Sequence, residues 1–197
     1  MLFQNVLIMK DMTVVFLLLA LMTNLLYGQE EQTVFGKNGM RISGVWVGPA
    51  VSVGKVDGEP LVFRGGYGGL EFGKRLFIGW GSFETDNDVH LDVLDNDRFI
   101  MDYSGFILGY TLNSYKTLHS GISVMTGSGN AQLGESEKDN IFVFQPGIGV
   151  ELNVFRWFHL SLDAGYRLVT NVNIPGMTDR KMSGSYAELK MKFGFSW

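Results

Sequence analysis

His159 and Ser161 sit two residues apart in a stretch that alternates apolar and polar side chains, and Glu151 lies on the preceding stretch of the same kind. Together they are the ingredients of an acyl-ester hydrolase: an imidazole takes the serine proton and a carboxylate orients the imidazole. Residues i and i+2 of a strand share a face, so His159 and Ser161 point the same way. Geometry weighs against the chemistry, because both occupy the polar face and follow directly on a tight connection, Val154 to Arg156. Other charges crowd the same faces: Asp163, Arg167, Glu188, Lys190 and Lys192. Simple antiparallel pairing sets Arg167 near Glu188, Asp163 near Lys190 or Lys192, and Glu151 near His159. Opposite charges filling a narrow interior are the expected arrangement, with a proton or ion path as the functional alternative.

The remaining motifs carry less. The run Asp86-Asn87-Asp88-Val89-His90-Leu91-Asp92, continuing to Asp95-Asn96-Asp97, has the carboxylate spacing of a calcium loop. Leu91 stands where the sharp turn needs glycine and the bidentate glutamate is missing, so a solvated acidic loop is expected. Gly65-Gly66-Tyr67-Gly68-Gly69 has neither the dinucleotide spacing nor a following helix, and reads as a strand packed closely inside a barrel. His90 and His119 are read as isolated. No cysteine is present, which excludes disulfides and thiolate metal sites. No catalytic, cofactor or metal site is assigned.

The elements that position these residues are strands. Ala187, Leu189, Met191, Phe193, Phe195 and Trp197 alternate with Glu188, Lys190, Lys192, Gly194 and Ser196. Period two is the signature of a strand with one apolar and one polar face. Phe158, Leu160, Leu162, Ala164, Tyr166 and Leu168 do the same against His159, Ser161, Asp163, Gly165 and Arg167. Eight such segments are expected: Arg41 to Ser52, Leu61 to Phe72, Arg75 to Thr85, Arg98 to Leu112, Thr117 to Gly129, Ile141 to Asn153, Trp157 to Thr170 and Gly184 to Trp197. Most have about the length that a tilted membrane strand needs. The connections Phe72 to Lys74, Asn113 to Lys116 and Val154 to Arg156 are tight. Val53 to Pro60, Asp86 to Asp97, Asn130 to Asn140 and Asn171 to Ser183 read as longer and polar. Short and long therefore alternate, as they do between the two rims of an up-and-down barrel.

The beginning of the chain has a different character. Lys10, the apolar run Val14 to Met22 and the stretch ending Tyr27-Gly28-Gln29 come in the order of a secretory signal peptide. The run is shorter than the roughly 20 apolar residues of a membrane helix. Residues 1–28 are expected to be cleaved and residues 29–197 to form the barrel, with Met9 as an alternative start. Composition agrees with many strands closing on a tight space: 26 glycines, 4 prolines and 13% aromatics. A mean hydropathy of +0.11 fits strands that hide their apolar residues in alternation. The net charge of −4 offers no basic face for nucleic acid.

The whole pattern resembles the small eight-stranded bacterial outer-membrane barrels of the OmpX and OmpA type. The final strand carries that resemblance most directly, since Phe193, Phe195 and Trp197 are similar to the C-terminal assembly signal of such proteins. The resemblance implies an all-β, eight-stranded, antiparallel, up-and-down transmembrane barrel preceded by a signal peptide. It also implies a monomer in the outer membrane of a diderm bacterium, with both termini periplasmic. Its implied partners are outer-membrane lipids and lipopolysaccharide, the assembly machinery during biogenesis and an extracellular partner at the loops. No further domain is expected after Trp197. His159-Leu160-Ser161 is also similar to the His-x-Ser pair of outer-membrane lipid A deacylases, but its expected place at the periplasmic rim is far from lipid A. A structural or surface-interaction role without a wide pore is thus the expectation. A soluble secreted lipocalin-like barrel holding a small apolar ligand, and a lipid-modifying enzyme, are the alternatives.

Overall fold

Period-two alternation commits the backbone to sheet, and a sheet whose two faces demand different surroundings must either be covered or close on itself. The computed structural model describes residues 41–85, 90–91, 97–134 and 138–197. Eight long strands are the staves: β1 (Ile42–Val56), β2 (Glu59–Phe72), β3 (Leu76–Thr85), β5 (Asp97–Leu112), β6 (Leu118–Leu133), β7 (Asp139–Phe155), β8 (Phe158–Thr170) and β9 (Gly184–Ser196). A two-residue strand, β4 (His90–Leu91), pairs with the first residues of β5. One helical turn, α1 (Asp179–Met182), precedes β9. Each stave runs antiparallel to both neighbours, and β9 pairs back onto β1, so the sheet has no free edge.

The register fixes the geometry. Following ladder partners from Gly44 through Glu71, Phe77, Gly109, Ser123, Gly147, Gly165 and Tyr186 returns to β1 at Gly54. The circuit climbs from residue 44 to residue 54, a stagger of ten over eight staves. Such a stagger tilts the strands by roughly 40° and leaves an interior that side chains alone can fill. Glycine makes this closeness tolerable. A Cβ on Gly149 would collide with the Asp163 carboxylate, and one on Gly147 with the Tyr186 hydroxyl.

Two expected loops are instead largely strand. Val53 to Pro60 is a hairpin in which only Asp57 and Gly58 turn, both with positive φ (50° and 91°). This Asp-Gly pair is a strong two-residue hairpin signal, and Val56 continues the inward set begun by Ala50, Ser52 and Gly54. Likewise β6 and β7 run on to Leu133 and from Asp139, leaving five residues between them instead of Asn130 to Asn140. The connection Asn171 to Ser183 is long, as read from the sequence, but folds inward: Ile174, Met177 and Met182 are buried. The expected signal peptide, 1–28, and residues 29–40 of the expected barrel region lie outside the described residues, as do 86–89 and 92–96 of the acidic run.

Burial along the strands settles which face is which. On β8, Leu162, Tyr166 and Leu168 are exposed, while Ser161, Asp163, Arg167 and Val169 are buried. On β9, Leu189, Met191, Phe193 and Phe195 face outward and Glu188 and Lys192 inward. The lipocalin-like alternative requires the opposite, and is overturned. An outward belt of this kind, with aromatics gathered at its lower edge (Trp157, Phe158, Phe193, Phe195 and Trp197), is stable only in hydrocarbon. Leu162→Arg is expected to cost roughly 2 to 4 kcal/mol for insertion near the midplane, read as impaired folding into lipid vesicles. A lipid-soluble quencher should reach a fluorophore at position 162 and not one at 163.

Candidate functional site

The interior is layered along the barrel axis, and each layer follows from which inward residues the stagger brings to one height. Nearest the rim of tight turns, Glu151 on β7 is the hub. Nδ1 of His159 lies 2.7 Å from its Oε1, Nζ of Lys192 lies 3.1 and 3.2 Å from its two oxygens, and Nε2 of His119 lies 3.5 Å away. The His119 ring is oriented by a hydrogen bond from Nδ1 to the Lys116 carbonyl oxygen, 3.0 Å. Trp46 forms the wall, its ring 4.4 Å from that of His159 and 4.9 Å from the Lys192 ammonium.

The next layer centres on Lys190, which bridges Asp163 at 3.0 Å and Glu188 at 2.9 Å. Ser161 donates its hydroxyl proton to Asp163 at 3.1 Å. Above them Arg167 donates from Nε to Gln145 Oε1 (2.8 Å) and from an amino nitrogen to Ser52 (3.3 Å). Its guanidinium is stacked 4.0 Å over Phe63 and 5.0 Å from Tyr103, whose hydroxyl donates to the same Gln145 oxygen. Beyond Arg167 the interior becomes apolar. Val56, Leu61, Phe63, Phe99, Met101, Ile141, Val143 and Val169 form one cluster with Ile174, Met177 and Met182 from the long connection and α1.

The lumen is therefore a blind well. It opens at the tight-turn rim through a mouth of about 430 Å³ lined by Trp46, Lys74, His119, Glu151, Arg156 and His159. A smaller cavity of about 80 Å³ beside Tyr67, Ser161 and Lys190 follows, and the Tyr67 hydroxyl has no protein partner there. Inside the lip formed by Glu71, Lys74 and Arg156, charge in the well balances, with carboxylates Glu151, Asp163 and Glu188 against Lys190, Lys192 and Arg167. A net charge in so confined and poorly solvated a space would be costly, and opposed charges in good geometry offset their desolvation.

Of the contacts expected from sequence, Glu151 with His159 and Asp163 with Lys190 are both made. Arg167 does not pair with Glu188. The register sets Glu188 opposite Asp163, and Arg167 opposite Gly184 two pleats higher, where its partners are Gln145, Ser52 and aromatic rings. His119 is not isolated: it is the ladder partner of Glu151. The contact follows from the β6–β7 register, which the sequence of either strand alone does not specify. The hydrolase constellation is not assembled, since the Ser161 hydroxyl donates its hydrogen bond to Asp163 while His159 is engaged by Glu151. Among the described residues no group of three His, Asp or Glu side chains is placed so that it could hold a metal ion.

No protein-family profile matches this chain, and no curated protein is similar to it. Solved structures are. The chain is similar to Neisserial surface protein A, with a TM-score of 0.56 and 13% identity over 81% of this chain and 99% of that one. It is also similar to Ail, the attachment invasion locus protein of Yersinia pestis, solved alone and with the heparin analogue sucrose octasulfate. For Ail the TM-score is 0.51 and the identity 18%, covering 78% of this chain and 97% of Ail. The fold is that of the small eight-stranded outer-membrane barrels.

Removing the central cation of the well tests the charge arrangement. Lys190→Met leaves Asp163 and Glu188 without their shared partner and is expected to cost about 3 to 5 kcal/mol, read from urea unfolding in vesicles. Adding Asp163→Asn and Glu188→Gln should recover most of that loss. An unchanged midpoint for the single variant would mean that the ion pairs contribute nothing.

Proposed function

We propose that this protein is an integral outer-membrane barrel whose work is structural or surface-interactive, done by its wall and its connections rather than by transport or catalysis. The observation that carries this reading is the apolar plug. Met101, Val143, Val169 and Met182 fill the lumen above Arg167, so among the described residues the interior is apolar between the ionic layers and the long-loop rim. The rim of tight turns, with both ends of the described chain, faces the periplasm, and the long connections face outward, following the usual asymmetry of such barrels. The assembly machinery reads the outward aromatics Phe193, Phe195 and Trp197. The protein works as a monomer among outer-membrane lipids and lipopolysaccharide, and its outer connections meet any extracellular partner.

Two measurements test this. Reconstituted in planar bilayers, the barrel is expected to give no sustained single-channel steps, and stable steps would remove the sealed-lumen reading. Ser161→Ala is expected to leave the lipid A species of the bacterium unchanged in mass spectra, because Ser161 serves Asp163. Loss of a deacylated species in that variant alone would establish an enzyme.

A further inference from the structure

The outward face is not apolar to the same height all round, and the register shows where it fails. One ladder rung carries Arg64 on β2, Glu84 on β3, Asp102 on β5 and Asn130 on β6, each directly opposite the next. The outward rung beneath it carries Ser82, Ser104 and Ser128 on β3, β5 and β6. These seven residues face outward, alternating with the buried Phe83, Met101, Tyr103 and Ala131. Asn130 donates to Asp102 at 3.2 Å, so part of the stripe is bonded to itself.

Height makes the stripe consequential. A stagger of ten over eight staves lifts each ladder step by a little over one residue. With that lift included, Ser104 stands level with Phe144 on β7 and Tyr166 on β8, and Ser128 stands level with Leu168. Each residue adds roughly 2.5 Å of height at a rise of 3.3 Å and a tilt near 40°. The outward apolar span is Leu152 to Phe142 on β7 and Phe158 to Leu168 on β8, about 25 Å, the usual height of such a belt. On β5 it is Leu112 to Phe106, about 15 Å, and on β3 Leu76 to Trp80, about 10 Å. The aromatic girdle follows the same contour. Trp80 and Phe106, in edge-to-face contact at 4.8 Å, close the belt on β3 and β5, whereas Tyr166, Phe144 and Phe142 close it higher on β8 and β7. Aromatic side chains of this kind mark the interface between hydrocarbon and headgroups.

We propose that the wall formed by β3, β5 and β6 contacts lipid headgroups at a depth where the wall formed by β7 and β8 still contacts acyl chains, so that the barrel thins the leaflet at its long-loop rim on one side. The proposal rests on the membrane placement above and adds a direction to it. A second copy of the chain is the rival occupant, but Ser, Asp and Glu are the residues that protein interfaces exclude from their cores. On β6 the stripe also continues into the polar rim through Gln132, while Ile100 stands opposite it on β5.

The absence of native cysteine allows a direct test in the full barrel, reconstituted in palmitoyl-oleoyl phosphatidylcholine vesicles. Single cysteines at Ser104, Ser128, Phe144 and Leu168 are labelled with nitroxide, and the access of oxygen and of a water-soluble nickel chelate is compared. Nickel access is expected to be severalfold greater at 104 and 128 than at 144 and 168, although the heights match. Equal, oxygen-dominated access at all four sites would overturn the thinning and leave the membrane placement intact. Nickel access at all four would instead overturn the placement. Dipolar broadening at 104, with neither reagent reaching the label, would assign the stripe to a second copy and overturn the headgroup contact. As an independent arm, Ser104→Leu with Ser128→Leu should shift folding efficiency from dilauroyl toward longer-chain vesicles, and an unchanged chain-length preference counts against the proposal.

Discussion

Closure of eight strands at a stagger of ten is the constraint from which the rest follows. It removes every sheet edge and satisfies the backbone internally, which is the condition for crossing hydrocarbon with strands. It also sets an interior too narrow for a water column, so every inward side chain must be accommodated by another. Glycine provides the room: where Tyr186 and Asp163 reach across, the facing positions are Gly147 and Gly149.

Within that limit the lumen is filled in two different ways. The half near the tight turns is ionic and open to its own rim, with Glu151 and Lys190 as hubs and equal numbers of carboxylates and fixed cations. The other half is an ordinary apolar core, sealed by residues of the long connection. Arg167 marks the boundary and belongs to both halves: its polar edge bonds Gln145 and Ser52 while its flat face lies on Phe63. Arginine suits this position because its guanidinium is planar and weakly hydrated. The seal is a consequence of packing and not of a gate, since Met182 and Val169 are as buried as residues of any soluble core.

The outer surface shows the complementary economy. Where the wall meets lipid at full depth, the sequence alternates strictly, as on β8 and β9. Where serine, aspartate and asparagine replace the apolar partner on β3, β5 and β6, the same alternation of inward residues continues unbroken. The inward face is governed by packing and the outward face by local surroundings, so the two vary independently along one strand.

Eight staves, nearly every strand boundary and the division of β7, β8 and β9 into an apolar and a polar face were legible in the sequence, whereas burial decided which face turns inward. The sequence could carry this much because a period of two needs only neighbouring residues to be read. It also placed Glu151 beside His159 and Asp163 beside Lys190, since those strands are consecutive and joined by short or recognisable connections. Asp57-Gly58 was legible as a hairpin, yet the polar residues around it gave it the look of a loop. Only the tertiary structure decided that Arg167 passes over Glu188 for Gln145 and Ser52, that His119 joins Glu151, and that Ile174, Met177 and Met182 turn inward to close the well. The His119 contact needs only the β6–β7 register, but the Arg167 contact with Ser52 depends on the stagger of the closed barrel, which brings to one height residues far apart in the chain, and no local pattern carries that sum of registers.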